Sequence, residues 1–376
     1  MEEAFIIKSK KASSSTSVVG GKNPLTQTLE SRIWRNLPTG LVDRVLTFLP
    51  PAEFFRFRSV CKRWYSLLFS DSFLESHLRL SPRHPWFAFF LLKTGGFSSP
   101  PFAFLLDPLN SSWLRLPLDS FLPPGFSPAA SSSGMICFLS DSAGPKSILL
   151  SNPLSRLIAH LPPTPRPRLY PSLGLTSSPT SLSLLIAGDD LISPFAVKNL
   201  TSESFHADGV TGFYSPWSTV SSLPPPLQPR RPPRLAPMRR FLRSPSLADH
   251  GTEVVMVAAV EKSKLSVPRS VRVWALQSKA WTEIERMPPE IYRQFSEAEG
   301  GRGFESVGSG EFLAITIKGS ADVILFDFNR REWRWASMSL YFSNRYRRRR
   351  PQGFAYEPRL ATPSIGLIDS SSLSFQ

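Results

Sequence analysis

The sequence predicts an α+β protein of more than one domain, in which a small all-α module precedes an all-β propeller. Two observations carry this prediction. Apolar residues recur at helical spacing up to about residue 80. Beyond Pro85, short apolar runs alternate with turns rich in Pro, Gly and Ser, which is typical of an all-β domain. The 37 prolines among 376 residues also exclude a protein of long helices, because proline ends a helix.

Composition bounds the class of protein. Hydrophobic residues make up 41% of the chain, which argues against global disorder. The two cysteines, Cys61 and Cys137, cannot form a disulfide scaffold or a Cys-rich zinc site. The longest apolar runs, 86–92 and 254–260, fall far short of the roughly 20 residues that a membrane span needs. The start of the chain has no signal-peptide pattern. We therefore expect a soluble protein of a reducing compartment, with no membrane partner.

The N-terminal part divides into a tail and a helical module. Residues 1–30 are rich in Ser, Thr and Lys and lack hydrophobic periodicity, which predicts a disordered tail. Residues 31–80 predict a module of four short helices, interrupted where Pro50-Pro51 forbids continuation. Such a module is too small to bury a large core. Its apolar surface should therefore need a partner or the neighbouring domain.

Residues 86–376 predict the propeller, because a repeat of strand, polar turn and aromatic-bearing strand recurs. Asp107-Pro108 and Asn152-Pro153 are 45 residues apart, and Trp281 and Trp333 are 52 residues apart. A period of this size, with four strands in each unit, is typical of propeller blades. The repeat breaks at the Pro/Arg-rich junction 223–237, which cannot be a propeller strand. The junction is either a long loop or the place where a segment of blade is absent.

Motifs that carry enzyme chemistry are missing from the sequence. There is no HExxH, phosphate-binding loop or GxSxG pattern, and the five histidines show no metal-ligand spacing. Glycines in 300–303 predict a turn. We expect no catalytic residue, no cofactor and no metal. A propeller enzyme or a sugar-binding module remains an alternative, which bound metal or a small-molecule effect on melting would reveal.

The helical module carries the most specific motif. Leu37-Pro38, Val45-Leu46, Leu49-Pro50 and the run Val60-Cys61-Lys62-Arg63-Trp64 stand at fixed spacing, and the stretch resembles the F-box. The resemblance implies that the module docks on a Skp-family adaptor of an SCF-type cullin–RING ubiquitin ligase. The alternative is that some of these side chains merely pack the bundle, Trp64 foremost. The candidate adaptor-binding residues are Leu37, Pro38, Leu41, Val45, Leu46, Leu49, Pro50, Val60 and Trp64.

The blocks 188–209, 236–247 and 258–277 extend this resemblance to a family of plant F-box proteins with a kelch-like propeller. The family implies a nuclear, non-catalytic substrate receptor, with the cytoplasm as a further location. It also implies co-regulation with a Leafy-type transcription factor in floral meristems and in petal and stamen identity. Compared with the family, a strand-rich segment between the counterparts of Ser222 and Ala236 is shortened. We therefore expect part of one or two blades to be missing or replaced.

The charge balance favours acidic partners. The net charge is +15, which suits nucleic-acid phosphates or acidic proteins. Candidate contacts are Lys262, Lys264 and Arg269, in a basic loop between two predicted strands. No base-reading motif is present, so DNA contact is expected only in support of a sequence-reading partner. A solvated surface or a nuclear-import patch is the alternative. A transcription co-factor independent of the ligase, or a propeller module with other targets, also remains open.

Overall fold

The computed structural model describes residues 37–93, 102–178, 180–189, 200–208, 213–222, 242–251, 253–260, 270–278, 280–320, 322–336 and 349–362, together with strand β1 (Ile6–Ile7). The rest of the predicted tail, the Pro/Arg-rich junction and Lys262, Lys264 and Arg269 lie outside these residues. The described chain forms a helical module followed by a five-bladed β-propeller of antiparallel sheets. The predicted fold class is confirmed.

Four helices form the module, as the sequence predicts. They are α1 (Thr39–Thr47), α2 (Pro51–Phe57), α3 (Lys62–Ser66), which runs into a 3₁₀ turn (Leu67–Phe69), and α4 (Asp71–Leu80). Pro51 occupies the first turn of α2, where a missing N–H costs nothing. The Ser70 hydroxyl accepts the Phe73 N–H at 3.4 Å and caps α4. Local capping and proline placement therefore set the helix boundaries.

The module has a small apolar core. Leu46, Phe54, Leu67 and Phe73 are buried together, and the Phe54 and Phe73 rings stack with centroids 5.5 Å apart. The fifth buried member is Leu360, from the C-terminal end of the described chain. The module therefore does not complete its core from its own residues.

Each blade has four strand positions, all of them filled. Blade 1 holds β2 (Trp86–Lys93), β3 (Phe102–Asp107), β4 (Ser112–Pro117) and, as its inner strand, β22 (Arg349–Tyr356). Blade 2 holds β5 (Phe126–Ser132), β6 (Met135–Ser140), β7 (Ile148–Asn152) and β8 (Leu157–Leu161). Blade 3 holds β9 (Ser172–Ser177), β10 (Ser181–Asp189), β11 (Leu200–Asp208) and an outer position shared by β12 (Phe213–Tyr214) and β13 (Ser218–Ser222). Blade 4 holds β14 (Leu242–His250), β15 (Glu253–Val260), β16 (Ser270–Gln277) and β17 (Ala280–Arg286). Blade 5 holds β18 (Phe304–Ser309), β19 (Phe312–Ile317), β20 (Val323–Asp327) and β21 (Glu332–Trp335). The expected loss of part of one or two blades is not seen within these five sheets and stays a prediction.

The two ends of the propeller meet in blade 1. Strand β22 pairs antiparallel with β2 from Trp86 opposite Tyr356 to Lys93 opposite Arg349. Strand β1 pairs with the outer strand β4 of the same blade. Blade 1 is therefore complete only when the C-terminal strand has joined it, which ties the ends of the ring together.

The repeat predicted from the sequence corresponds to one recurring turn. Asp107, Asn152 and Asp327 each accept, through Oδ1, the backbone N–H two residues later, at 3.0 Å in every case. This Asx turn joins the two outer strands of blades 1, 2 and 5. The fourth residue after each Asx has a positive φ: Ser111, Arg156 and Arg331. The predicted match of Asp107 with Asn152 is confirmed.

Buried apolar clusters join neighbouring blades. One cluster lies between blades 1 and 2, one between 2 and 3, one between 4 and 5, and one between 5 and 1. Among the described residues, no cluster joins blade 3 to blade 4. The face of blade 4 opposite to blade 5 leaves Leu247, Val254 and Leu276 between 42% and 65% exposed. On the same face Ala258, Val260 and Trp274 form a small buried cluster, so this face is exposed only in part.

One helix inside the propeller region is not predicted by the sequence. Helix α5 (Pro289–Glu299) connects blade 4 to blade 5. Phe295 is completely buried and meets Phe304 edge-on, with ring centroids 5.3 Å apart. The remaining residues of the helix are mostly polar, so its single buried stripe is too narrow to stand out from the surrounding strand pattern.

Candidate functional site

Helix α1 carries an exposed apolar stripe. Leu41, Val45 and Phe48 stand at positions i, i+4 and i+7, which share one helix face, and each is 46–49% exposed. The side chain of Leu46, between them in sequence, points into the module core at 4% exposure. We call Leu41, Val45 and Phe48 the α1 stripe. A helix with one apolar face in the core and a second in solvent is suited to bind another protein.

A second exposed set lies on α2, α3 and the turns that follow them. Phe57, Val60, Tyr65 and Phe69, here called the aromatic patch, are 39–73% exposed. The Tyr65 and Phe69 rings lie 6.2 Å apart, and the Arg58 guanidinium lies 4.6 Å from the Tyr65 ring centroid. Aromatic residues and arginine are the types enriched in protein interfaces. The module therefore presents two apolar surfaces suited to a protein partner.

Arg63 fixes how α3 lies against α1. Its guanidinium donates to both carboxylate oxygens of Asp43 at 2.6 Å and to the Thr39 carbonyl oxygen at 3.2 Å. Both side chains are partly exposed, so the ion pair contributes only about 0–1 kcal/mol to stability. Its effect is geometric, because it holds the start of α1, and hence the α1 stripe, in one orientation to α3.

The predicted site residues divide by burial. Pro38, Leu41, Val45 and Val60 are exposed. Leu37, Leu49, Pro50 and Trp64 are partly buried, and Leu49 and Trp64 pack against the module core. Leu46 is buried in the module core at 4% exposure, so the structure shows it as a packing residue. The adaptor contacts of all these residues remain a prediction.

Sequence reasoning missed four exposed aromatic residues, namely Phe48 and, in the aromatic patch, Phe57, Tyr65 and Phe69. Phe48 was predictable from the sequence, because it follows Val45 by three residues and so continues the helical spacing of Leu41 and Val45. The others lie on a 3₁₀ turn or at helix ends, where periodicity is lost. The second set of predicted contacts, Lys262, Lys264 and Arg269, lies outside the described residues and stays a prediction.

The module is attached to the propeller around His77 of α4. His77 is fully buried, and this burial, with smaller contributions from Arg359 and His84, lowers its pKa from 6.5 to about 4. The Arg359 guanidinium donates to the Leu78 carbonyl oxygen at 3.4 Å. Asn152 of blade 2 donates through Nδ2 to the Arg359 carbonyl oxygen at 2.9 Å. The residues that follow β22 therefore contact both domains.

The described residues hold no group of three or more His, Cys, Asp or Glu side chains that could bind a metal ion. Cys61 is exposed, whereas burial raises the pKa of the Cys137 thiol. None of the helices in the described part of the chain is long and apolar enough to cross a bilayer.

Comparison with known proteins agrees with this architecture. The F-box domain family matches residues 34–76. Protein UNUSUAL FLORAL ORGANS of Arabidopsis thaliana is 45% identical over 401 residues, covering 93% of this chain and 90% of the relative. Protein ABERRANT PANICLE ORGANIZATION 1 of Oryza sativa subsp. japonica is 43% identical over 406 residues, covering 92% of both. An F-box/kelch-repeat protein of Arabidopsis thaliana is 24% identical, covering 86% of this chain and 89% of the relative.

The helical module and the five blades define an F-box protein with a β-propeller. Within that class, the chain belongs to the family of UNUSUAL FLORAL ORGANS and ABERRANT PANICLE ORGANIZATION 1.

The chain is shorter than its relatives in at least one place. The alignment with the Arabidopsis protein, 401 residues long, is longer than the 376 residues of this chain. This chain contributes 93% of 376 residues, about 350, so about 50 residues of the relative have no counterpart here. A shortened chain is therefore confirmed, whereas its expected place, between Ser222 and Ala236, stays a prediction.

Proposed function

We propose that this protein is a substrate receptor of an SCF-type cullin–RING ubiquitin ligase. In this role the F-box module binds a Skp-family adaptor and the propeller selects the target. The observation that carries the proposal is the α1 stripe, since Leu41 and Val45 are exposed on α1 and Phe48 at its C-cap, all within the F-box match. Anchors spaced i, i+4 and i+7 are the pattern with which a helix binds an apolar groove.

The receptor itself needs no catalytic group. Ubiquitin transfer belongs to other subunits of such a ligase, and a receptor contributes by holding its target close to them, which raises the effective concentration of the reacting groups. The hydrogen bonds that Arg359 makes with both the module and the propeller support this role. A fixed orientation of the two domains would present every target in a similar geometry.

The proposal extends to transcription in the nucleus. There the protein would act with a Leafy-type transcription factor at floral meristem and floral organ genes. The family membership and the net charge of +15 support this part, because a basic surface would favour a complex that already includes DNA. Lys262, Lys264 and Arg269 are the proposed phosphate contacts, in support of the factor that reads the sequence.

The adaptor part is tested by titrating purified full-length protein with a Skp-family adaptor. Val45→Asp places a charge in the α1 stripe and should weaken binding at least about tenfold, because a charge in an apolar interface is left unpaired. The matched control is Leu157→Asp, since Leu157 on β8 is exposed to a similar degree, 51% against 49%. Equal affinities of the two variants would remove the α1 stripe from the interface. No binding by the unchanged protein would overturn the receptor proposal.

The transcription part has its own test. The complex of the protein with its adaptor is added to a Leafy-type factor on a labelled promoter fragment in a mobility-shift assay. A supershifted band, weakened by Lys262→Ala with Lys264→Ala, supports co-regulation with phosphate contacts from this loop. No supershift with adaptor binding intact overturns the co-regulator role alone. The double variant Leu37→Ala with Pro38→Ala tests a ligase-independent role. It should abolish adaptor binding, and activation of target genes by this variant would mean that transcription does not need the ligase.

A further inference from the structure

The core of the F-box module is completed by a residue from the far end of the chain. Leu360 is 2% exposed and packs with Leu46, Phe54, Leu67 and Phe73, which come from α1, α2, the 3₁₀ turn and α4. A side chain this deeply enclosed contributes to the packing of every helix that touches it. The arrangement of α1 in the module therefore depends on where Leu360 lies.

The segment that carries Leu360, residues 357–362, is held from both sides. On the module side, Arg359 donates to the Leu78 carbonyl oxygen, 281 positions away in the chain. On the propeller side, Asn152 donates to the Arg359 carbonyl oxygen. Arg359 also pairs with Glu357, whose carboxylate lies 3.9 Å from the Arg83 guanidinium in the connection between the domains.

Segment 357–362 packs closely against the propeller at Gly134. Gly134, in the tight turn between β5 and β6, has a positive φ of 82°. A Cβ added there would lie 2.8 Å from the Glu357 carbonyl oxygen and 2.9 Å from the Arg359 Cβ. Segment 357–362 thus lies between blade 2 and the F-box module and contacts both.

Segment 357–362 directly follows β22, the strand that completes blade 1. Leu360 can therefore reach the module core in this way only when β22 has paired with β2. Before that pairing, the module lacks one of its five buried core side chains, and the α1 stripe rests on an incomplete core. A binding surface that is not already ordered in its bound conformation has a lower affinity, because part of the binding free energy is used to order it.

We propose that segment 357–362 couples closure of the propeller to adaptor binding. The F-box reaches full affinity for the adaptor only after the last propeller strand is in place and Leu360 has entered the module core. A chain that is truncated at its C-terminus, or still being synthesised, would be a poor ligase subunit although its whole F-box is present. The inference rests on the proposed adaptor binding.

The test compares adaptor affinity of full-length variants that leave every F-box residue unchanged. Leu360→Ala removes the core side chain and should weaken adaptor binding at least about fivefold, with faster hydrogen exchange of α1 and α4 amides. The control Leu139→Ala removes a leucine buried to a similar degree between blades 2 and 3 and should leave adaptor affinity unchanged. Leu360→Met keeps the volume and should restore binding.

A second pair of variants changes glycines of the propeller and leaves segment 357–362 itself unchanged. Gly134→Ala should weaken adaptor binding through its clash with residues 357 and 359. Gly125→Ala places alanine at a similar positive φ of 83° with nothing within 4 Å of the new Cβ, and should not. Equal adaptor affinity of Leu360→Ala and Leu139→Ala would overturn the coupling. If the wild-type protein binds no adaptor, the proposed function fails. The coupling has a separate readout: it is overturned if amide hydrogen exchange in α1 and α4 is the same in Leu360→Ala as in the wild-type protein.

Discussion

Arg168 and Glu203 form a buried ion pair. Their side chains are 0% and 1% exposed, and Arg168 Nη2 lies 3.3 Å from the Glu203 carboxylate. Arg168 follows blade 2 in the chain, whereas Glu203 lies on β11 of blade 3. Arg168 also donates to the Gly188 carbonyl oxygen and the Thr201 hydroxyl, both at 2.8 Å. The pair therefore fixes the connection between the two blades to the sheet that follows it.

Breaking this pair should destabilise the propeller strongly. Arg168→Ala removes the buried one of the two arginines that pair with Glu203 among the described residues, and leaves the partly exposed Arg166 at 3.4 Å. It should lower the free energy of unfolding by about 3–5 kcal/mol. The control Arg330→Ala removes an exposed arginine side chain that lies 3.9 Å from Asp327. The Asp327 carboxylate keeps its hydrogen bonds from the Asn329 and Arg330 backbone N–H groups, so the loss should be less than about 1 kcal/mol. Denaturant unfolding of both variants checks the difference, and similar losses would contradict it.

The inner strands of blades 4 and 5 approach so closely that one position requires glycine. A Cβ added at Gly308 on β18 would lie 1.9 Å from the Asp249 carbonyl oxygen on β14. Gly308→Ala should therefore destabilise the protein by at least about 1–3 kcal/mol, as overpacking does. Gly40→Ala, in α1 with nothing within 4 Å of the new Cβ, should be neutral or stabilising by about 1 kcal/mol. Thermal unfolding measures both, and a stable Gly308→Ala would mean that the strands separate easily.

The buried His77 should make the protein less stable in mild acid. Its pKa falls from 6.5 to about 4 on folding because of burial, with Arg359 and His84 adding repulsion. The unfolded chain therefore takes up a proton first as the pH falls through 6.5, and stability is lost until about pH 4, by about 3 kcal/mol in all. His77→Phe should flatten this part of the stability–pH curve. Equal stability–pH curves for the unchanged protein and His77→Phe would refute the assignment.

The exposed part of the blade 4 face that lies opposite to blade 5 should tolerate polar substitution. Leu247 is 65% exposed, whereas Val257 on the opposite face is completely buried against blade 5. Leu247→Ser should change the free energy of unfolding by less than about 0.5 kcal/mol. Val257→Ser should cost about 2–4 kcal/mol, because it creates a cavity and buries a hydroxyl. A large loss for Leu247→Ser, measured by denaturant unfolding, would mean that this face is covered in solution.

Several structural features were predictable because they depend on local chemistry. The proline positions separate α1 from α2, and the Asx turns at Asp107 and Asn152 recur with the blades. Helix α5 escaped prediction because only Phe295 and Glu299 are buried in it, so it lacks a strong apolar periodicity. The burial of Leu46 beside the exposed Val45 was equally hidden, since both suit the same apolar pattern.

By itself, the sequence determined the class of this protein: an F-box whose motif lies within one short stretch, and a propeller whose turns repeat along the chain. These features are encoded by neighbouring residues, and a linear pattern is enough to identify them. Only the tertiary structure decided that β22 completes blade 1, that Leu360 enters the F-box core, and that Arg168 meets Glu203 out of contact with solvent. Each of these contacts joins residues distant in sequence, and their pairing is selected by how the folded sheets and helices fill space.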